Sequence, residues 1–453
     1  MNTRQAVKHL QVPFYRRPVV AYLVMAGIIA LVSAVWLETD TYRYVDLALI
    51  GLGLWVYYLT SDRPFPSIGA MGWACCFWAA YVVFRYYWSD RVHPDNTGGS
   101  AEGIYLFPIL YITTGYIFEL YRDRAAQIAW IFMLVSLVML AVSLDVPQIL
   151  ASAATSKQQI DFLFHYNPIH SSVGGGLILI AAFCFLMDLA GRYDIDRRVR
   201  YGGIALACLV MILALLGIVG ARSKGVWIAL VATLPFAILA VLAATRGRVR
   251  LWLIVAACAG AAIGAALFAK RIMLVIGPII SSAWQIVERV ASGEPLSSVV
   301  LKAIESGHLP LTFDLRLQIW WNAFSIWQKD WLFGQSLYWE NLWQQTRFGH
   351  VGYELMHNGY LEVAIRFGLL GLAFYTVLFG WAAYQVLCCV RRGLINRNLG
   401  LMFALSMVFF LVSMLSNSNI RLAVGESYML VAGAFGFCCF YLRQLAAESD
   451  NRP

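Results

Sequence analysis

The chain reads as an all-α polytopic membrane protein, and three observations carry that reading. Of its 453 residues, 60% are hydrophobic and only 13% charged, with a mean hydropathy of +0.68; a soluble domain would carry about 25% charged residues. The apolar residues form continuous runs about 20 residues long, the length of a helix that crosses hydrocarbon. They do not alternate as barrel strands do. Lys and Arg collect on alternate connecting segments, as the positive-inside rule requires. The same composition excludes disordered, collagenous and disulfide-scaffold classes.

The runs fall at 19–37, 45–60, 67–87, 103–119, 125–145, 171–190, 201–220, 224–245, 250–269, 358–388, 398–416 and 425–443, about twelve helices. The second is short enough to be a tilted or partial span. With a cytoplasmic N-terminus, Arg16, Arg17, Arg122, Arg124, Arg197, Arg198, Arg200, Arg246, Arg248, Arg250, Arg391 and Arg392 lie inside. The short outside segments hold only Arg43, Arg85, Arg91, Lys157, Arg222, Lys224 and Arg421. Both termini are therefore expected in the cytoplasm. The net charge of +9 is mostly this orientation signal and not a nucleic-acid footprint. The first run is too long for a signal-peptide core and lacks a small-x-small cleavage site, so it is expected to remain as an anchor. All nine cysteines fall in helices or near their cytoplasmic ends, which leaves no disulfide framework and no metal-type spacing.

The expected organisation is helices 1–9 over 1–269, a large outer loop over 270–356 and helices 10–12 over 357–453. Two shorter outer segments, 88–102 and 146–170, accompany it. Loops as long as the third are uncommon without a function. It holds Trp284, Trp320, Trp321, Trp327, Trp331, Trp339 and Trp343, and its stretch 316–331 reads as an amphipathic helix on or near the membrane surface. No internal repeat is visible.

Six of the seven histidines (His93, His165, His170, His308, His350 and His357) fall outside, so any chemistry is expected on the outer face. His357 opens the tenth span at the interface, where an imidazole keeps a near-neutral pKa and reaches a substrate; the plainer reading is an interfacial helix cap. Arg222, with Lys224 beside it, stands at the outer start of the eighth span against the charge bias. A helix N-terminus there makes a natural anion site, and the alternative is an interfacial anchor. Arg316 begins the Trp-rich helix, as an anion ligand or as a partner of Asp314 or Glu305. Arg347, His350 and His308 share that loop and singly read more as surface than site. Arg366 lies inside the tenth span and should face the bundle interior, with Glu362 the candidate for an ion pair. Glu354 or Glu362 could orient His357. His165 and His170, five apart around Pro168, are poorly spaced for a metal, and the Asp194/Asp196 pair reads as a solvated charge cluster. No P-loop, G-x-S-x-G or H-E-x-x-H is present.

Cations and one histidine around an outer cavity suit a lipid-linked sugar diphosphate. The cations neutralise pyrophosphate, the histidine serves as base on an attacking hydroxyl, and the aromatic loop faces sugar and acyl chain. The residues also resemble a known family. HNGYLEVAIRFGLLG, with His357, Asn358, Gly368 and Gly371, is similar to the His-Asn/Ser…Gly-x-x-Gly signature of the O-antigen ligase and polymerase superfamily. Arg316, Trp320 and Gly334 resemble its preceding Arg-x-x-x-Trp…Gly segment, although the family's Pro before that Gly is absent, and GARSKGVWIAL resembles its small-Arg-Ser-x-Gly segment. The topology, about twelve helices with one large loop between the ninth and tenth, agrees with that family across essentially the whole chain. The resemblance implies a GT-C-type glycosyltransferase of the bacterial inner membrane with its active site facing the periplasm. The donor would be an undecaprenyl-pyrophosphate-linked glycan and the acceptor a sugar hydroxyl of lipid A–core, with neither cofactor nor metal and with membrane lipids as surroundings. Carried onto this sequence, His357 is the base and Arg222 and Arg316 bind pyrophosphate; Lys224, Asn358, Arg347, Arg366 and His308 are the expected further substrate-binding residues. The ligase is the leading expectation. An O-antigen polymerase with the same donor, a protein O-oligosaccharyltransferase and a lipid-linked-glycan transporter follow it.

Overall fold

The computed structural model describes residues 17–59, 67–93, 100–149, 159–244, 277–352 and 355–450. Most of these residues are helical, and the β-structure among them is a single bridge between Leu37 and Phe164. The principal helices are α1 Pro18–Leu31, α2 Thr41–Leu59, α3 Gly69–Val92, α4 Leu110–Leu120, α5 Ala125–Ser143, α6 Pro168–Gly191, α7 Arg197–Ala221, α8 Lys224–Ala244, α9 Leu296–Glu305, α10 Leu311–Trp327, α11 Trp339–Trp343, α12 Gly359–Arg391, α13 Arg397–Ser413 and α14 Ala423–Asp450. Eight described helical stretches are long and apolar enough to cross a membrane, which agrees with an all-α polytopic fold. The expected number, twelve, is not reached by this measure. Helices α2 and α3 cover the second and third apolar runs but carry Arg43, Asp46, Arg85, Asp90 and Arg91. Helix α13 is a shorter apolar helix. The ninth run, 250–269, lies outside the described residues.

Local signals set the helix boundaries. Proline stands at the first turn of α1 and α6, where its missing N–H costs nothing. Asn167, Asp196 and Asn396 cap α6, α7 and α13 by accepting from the backbone amides of Ile169 at 2.8 Å, Arg198 at 2.7 Å and Asn398 at 2.7 Å.

The chain divides into two compact units: Met1–Tyr87, Gly99–Leu234 and Ala373–Pro453 form the first, and Trp88–Gly98 and Pro235–Leu372 the second. In the first, α6 packs on α7 and α4 on α14. Small residues permit the close approach: Gly175 and Gly217 face the Phe162 ring, Gly176 faces Phe409, and Gly115 faces the backbone of α14. Several polar groups inside it are paired. Thr114 donates to Asp46 at 2.6 Å, Arg43 and Tyr42 both bond Glu426, and Arg421 meets Glu102 at 3.3 Å.

The second unit is built around the Trp-rich helix. Helix α10 turns Ile319, Ala323 and Ile326 onto Trp339, Leu342, Trp343, Met356 and Ile365. Leu311, Leu315 and Phe324 stay exposed, so the helix has one face on protein and one open. Helix α12 is interrupted at Gly368, whose φ of 62° and ψ of −155° are non-helical and suit only glycine. The segment after α10 docks on this break. Gln335 N donates to Ile365 O at 2.8 Å, Leu369 N to Trp331 O at 2.9 Å and Leu370 N to Leu332 O at 3.1 Å. Side chains at Gly334 or Gly368 would collide with the opposing backbone at Arg366–Phe367 and Leu332–Phe333. Two glycines from separate family-like segments thus form one backbone junction.

Candidate functional site

Two short backbone segments hold two of the three expected catalytic residues, Arg222 and His357. Four described non-glycine residues have left-handed φ: Leu163, Arg222, Ser336 and His357, the last at 49° and Arg222 at 53°. This conformation is uncommon for residues with a Cβ, and such strain persists where the surroundings over-determine it, often at functional sites.

His357 lies two residues before α12 and is partly buried. The residues on either side of it are pinned. Asn358 Oδ1 accepts from Tyr360 N at 3.0 Å and Leu361 N at 3.2 Å, capping α12. Met356 N donates to Glu362 Oε1 at 2.7 Å, and Met356 O accepts from Trp320 Nε1 at 3.0 Å. The left-handed turn therefore hangs between a capped helix and an anchored peptide, so the imidazole is carried on rigid supports. Glu354, the other carboxylate expected near His357, lies outside the described residues.

Arg316 sits four residues before Trp320 on α10, hence on the same face, with about 6 Å of rise between their backbone positions; the Trp320 indole is the one that bonds Met356. It is the sixth residue of α10 and not its first, so the free amides of that helix start lie more than a turn away. Neither carboxylate expected for a surface role pairs with it: Gln318 donates to Asp314 Oδ2 at 2.9 Å while Asp314 Oδ1 has no hydrogen-bond partner among the described residues, and Glu305 pairs with Arg347. No carboxylate among the described residues lies within ion-pair distance of Arg316. Burial alone lowers its pKa from the ordinary guanidinium range. A partly desolvated cation without a protein counter-charge is unfavourable, and an anionic ligand would relieve it.

Arg366 is different. It is fully buried, its Nη1 lies 2.8 Å from Glu362 Oε2 and 3.0 Å from Glu362 O, and its guanidinium sits 4.6 Å from the Trp339 ring centroid. The ion pair weighed from the sequence is present, and Glu362 thereby joins Arg366 to the peptide before His357. Arg347 is spent on Glu305 at the surface, and His308, also exposed, bonds back to Ser306. His93, from the 88–102 segment, stacks on Tyr338 with centroids 3.5 Å apart.

Arg222 and Lys224 belong to the first unit. Arg222 caps α7, its amide donating to Ile218 O at 3.2 Å, and Lys224 opens α8 after a two-residue break. The expected anion site at a helix start is thus a left-handed corner between two helix ends. Residue 225 must be glycine because Ser416, from the α13–α14 connection, occupies the place of a side chain there.

Sequence reasoning missed two groups. Glu38 joins His165 and His170, with its Oε2 3.0 and 2.9 Å from their Nδ1 atoms, and the three donor groups lie close enough to hold a metal ion. Hydrogen bonds from both imidazoles lower the Glu38 pKa to about 2. The residues are brought together by the Leu37–Phe164 bridge, which no local spacing reveals. The second group is Asn417, Ser418 and Asn419, buried between two apolar helices; its signal is the polar run SNSN itself.

Residues 209–376 match the family model described as O-antigen ligase. The match contains Arg222, Lys224, Arg316, His357, Asn358 and Arg366. No curated protein matches the chain.

Proposed function

We propose that the chain, whose residues 209–376 match the O-antigen ligase family model, is an O-antigen ligase of the bacterial inner membrane. It transfers a glycan from undecaprenyl pyrophosphate to a sugar hydroxyl of lipid A–core on the periplasmic side. The observation that carries the reading is Arg316: a half-buried guanidinium with no carboxylate partner among the described residues, one turn from the Trp320 that bonds the peptide preceding His357. That juxtaposition supplies a cation for a leaving group and an imidazole for a nucleophile.

In this reaction the acceptor O–H gives its proton to His357 as its oxygen bonds the anomeric carbon. The bond from that carbon to the pyrophosphate oxygen breaks on the opposite face, so configuration inverts. Negative charge grows on the departing diphosphate, and fixed cations aimed there lower the barrier. Arg316 and Arg222 take that role, each with a planar fork matched to phosphate oxygens, and Lys224 adds a point charge. Asn358 acts chiefly by capping α12 and setting the His357 turn.

The test is a reconstitution of purified protein with lipid A–core and undecaprenyl-pyrophosphate glycan in the presence of EDTA. Glycan-bearing lipopolysaccharide is the expected product, and His357→Ala is expected to lower turnover about 10²–10⁴-fold. Full activity in that variant removes His357 from the chemistry. Lengthened lipid-linked glycan with no transfer to lipid A–core identifies a polymerase instead.

A further inference from the structure

We infer that the connection Ser416–Asn419, between α13 and α14, is the subsite that reads the sugar next to the donor's pyrophosphate, an assignment that rests on the ligase reading for the identity of the donor.

The connection is short, polar and buried. Asn417, Ser418 and Asn419 are 3%, 1% and 0% exposed. Three of their polar atoms, Asn417 Nδ2, Ser418 Oγ and Asn419 Oδ1, have no hydrogen-bond partner among the described residues. Buried polar groups are nearly always satisfied, and an isolated orphan calls for explanation; here three fall in consecutive residues. Their backbone is fixed, with Arg421 N donating to Ser418 O at 2.8 Å and Leu422 N to Asn419 O at 3.1 Å. Rigid polar groups that lack partners are what a binding site looks like before its ligand arrives.

The first two residues of the connection, Ser416 and Asn417, border the Arg222 corner. A side chain at Gly225, in the first turn of α8, would collide with Ser416 Oγ and lie 3.5 Å from Asn417 Nδ2. Helix α8 is 21 residues long, and its first turn leaves amides without intrahelical acceptors. The Asn417 amide therefore adjoins an anion-favouring helix start, with Lys224 in its first turn and Arg222 just before it, and Ser418 and Asn419 follow Asn417 directly in the chain.

The chemistry of the orphans chooses between phosphate and sugar. Phosphate oxygens only accept, so a phosphate cradle needs donors throughout. Ser413 Oγ donates to Phe410 O at 2.8 Å and accepts from Asn419 Nδ2 at 2.5 Å. Asn419 Oδ1 is thus an acceptor, and a pyrophosphate has no proton to offer it. Asn417 Nδ2 donates, and Ser418 Oγ can do either. A mixed set of donor, acceptor and hydroxyl matches the hydroxyl or acetamido groups of a sugar. The helix start and Arg222 would take the phosphate beside it. Sites that hydrogen-bond a substrate hydroxyl discriminate strongly against ligands lacking it.

The experiment measures equilibrium binding of two lipids to the full-length protein in nanodiscs: undecaprenyl pyrophosphate, and undecaprenyl pyrophosphate bearing N-acetylglucosamine. Wild type is expected to bind the sugar-bearing lipid at least about 10-fold more tightly. Asn417→Ala and Ser418→Ala are each expected to weaken that lipid about 5–10-fold, one hydrogen bond's worth, and to leave the bare lipid unchanged. Bare-lipid binding is itself the folding control, and Ser418→Ala removes a single oxygen. Equal binding of both lipids by wild type overturns the subsite, as does equal weakening of both lipids in the variants. Binding needs no turnover, so active His357→Ala protein would overturn the catalytic assignment and leave the subsite standing. If wild type binds neither lipid, the donor reading falls and the subsite falls with it.

Discussion

Arg366 and Arg316 are both cations withdrawn from water in the same unit, and they stand in opposite conditions. Arg366 is fully buried and matched by Glu362 at 2.8 Å, the Glu362 carbonyl at 3.0 Å and the Trp339 face. Arg316 is half-buried and matched by no carboxylate among the described residues, with desolvation the one influence on its pKa. The family-like segments contain both, so motif membership does not separate them. What separates them is whether the protein itself answers the charge. The charge of a matched buried cation is answered within the protein, and that of an unmatched one is not.

The largest effect on stability is expected at the matched end. Arg366→Met leaves Glu362 buried and unpaired, and removing one partner of a buried pair typically costs about 3–5 kcal/mol. The double variant Arg366→Met with Glu362→Gln removes both charges while keeping an acceptor for Met356 N, and it should recover part of the loss. Thermal unfolding in detergent reads both. A double variant no better than the single one would show that the pair is not what holds Arg366.

The second effect belongs to the junction beside it. Gly368→Ala forces a side chain into a glycine-only conformation, a strain of about 1–3 kcal/mol, and into contact with the Leu332 carbonyl. Gly380, further along α12, has open space where a methyl group would stand. Gly380→Ala should therefore leave stability unchanged or raise it by up to about 1 kcal/mol. Equal melting temperatures for the two variants would mean that the Gly368 break is not required.

A smaller, pH-dependent effect is expected at Glu38, whose pKa falls from 4.5 to about 2 through His165 and His170. A depressed carboxylate contributes stability above its unfolded pKa and loses it as pH falls through its folded one. Wild type should exceed Glu38→Gln by about 1 kcal/mol or less near neutral pH, and the two should converge as pH drops from 4.5 towards 2. A gap that persists at the acid end would place the Glu38 contribution outside its charge.

Much of this is legible in the sequence, because apolar run length is a local property. Every expected run except 250–269 coincides with described helix, and Arg366 faces inward and meets Glu362 as its place in the tenth run implies. What the pattern hides is backbone conformation and long-range pairing. Nothing around Arg222 and His357 announces a left-handed φ, so the sequence puts Arg222 at a helix start, whereas it caps the preceding helix. Arg316 reads as the start of the Trp-rich helix because the tryptophans follow it, whereas Leu311 begins the helix, straight after Pro310. Glu38 lies 127 residues from His165, beyond any spacing rule.

At Arg316 stability should change least. Arg316→Met removes a desolvated charge that no described carboxylate balances, so stability should stay within about 0.5 kcal/mol of wild type or rise. Activity should behave in the opposite way. Loss of one fixed donor to a developing anion costs about 10²–10³ in turnover, and Arg316→Lys, which keeps the charge but loses the fork, should fall between. The dissociation constant for undecaprenyl pyrophosphate should rise in both variants, which ties the loss to the leaving group. If Arg316→Met unfolds the protein as Arg366→Met does, Arg316 has a partner after all and the distinction collapses. If it leaves fold, binding and turnover intact, the unmatched charge is not reserved for the substrate, and the pyrophosphate must be neutralised elsewhere.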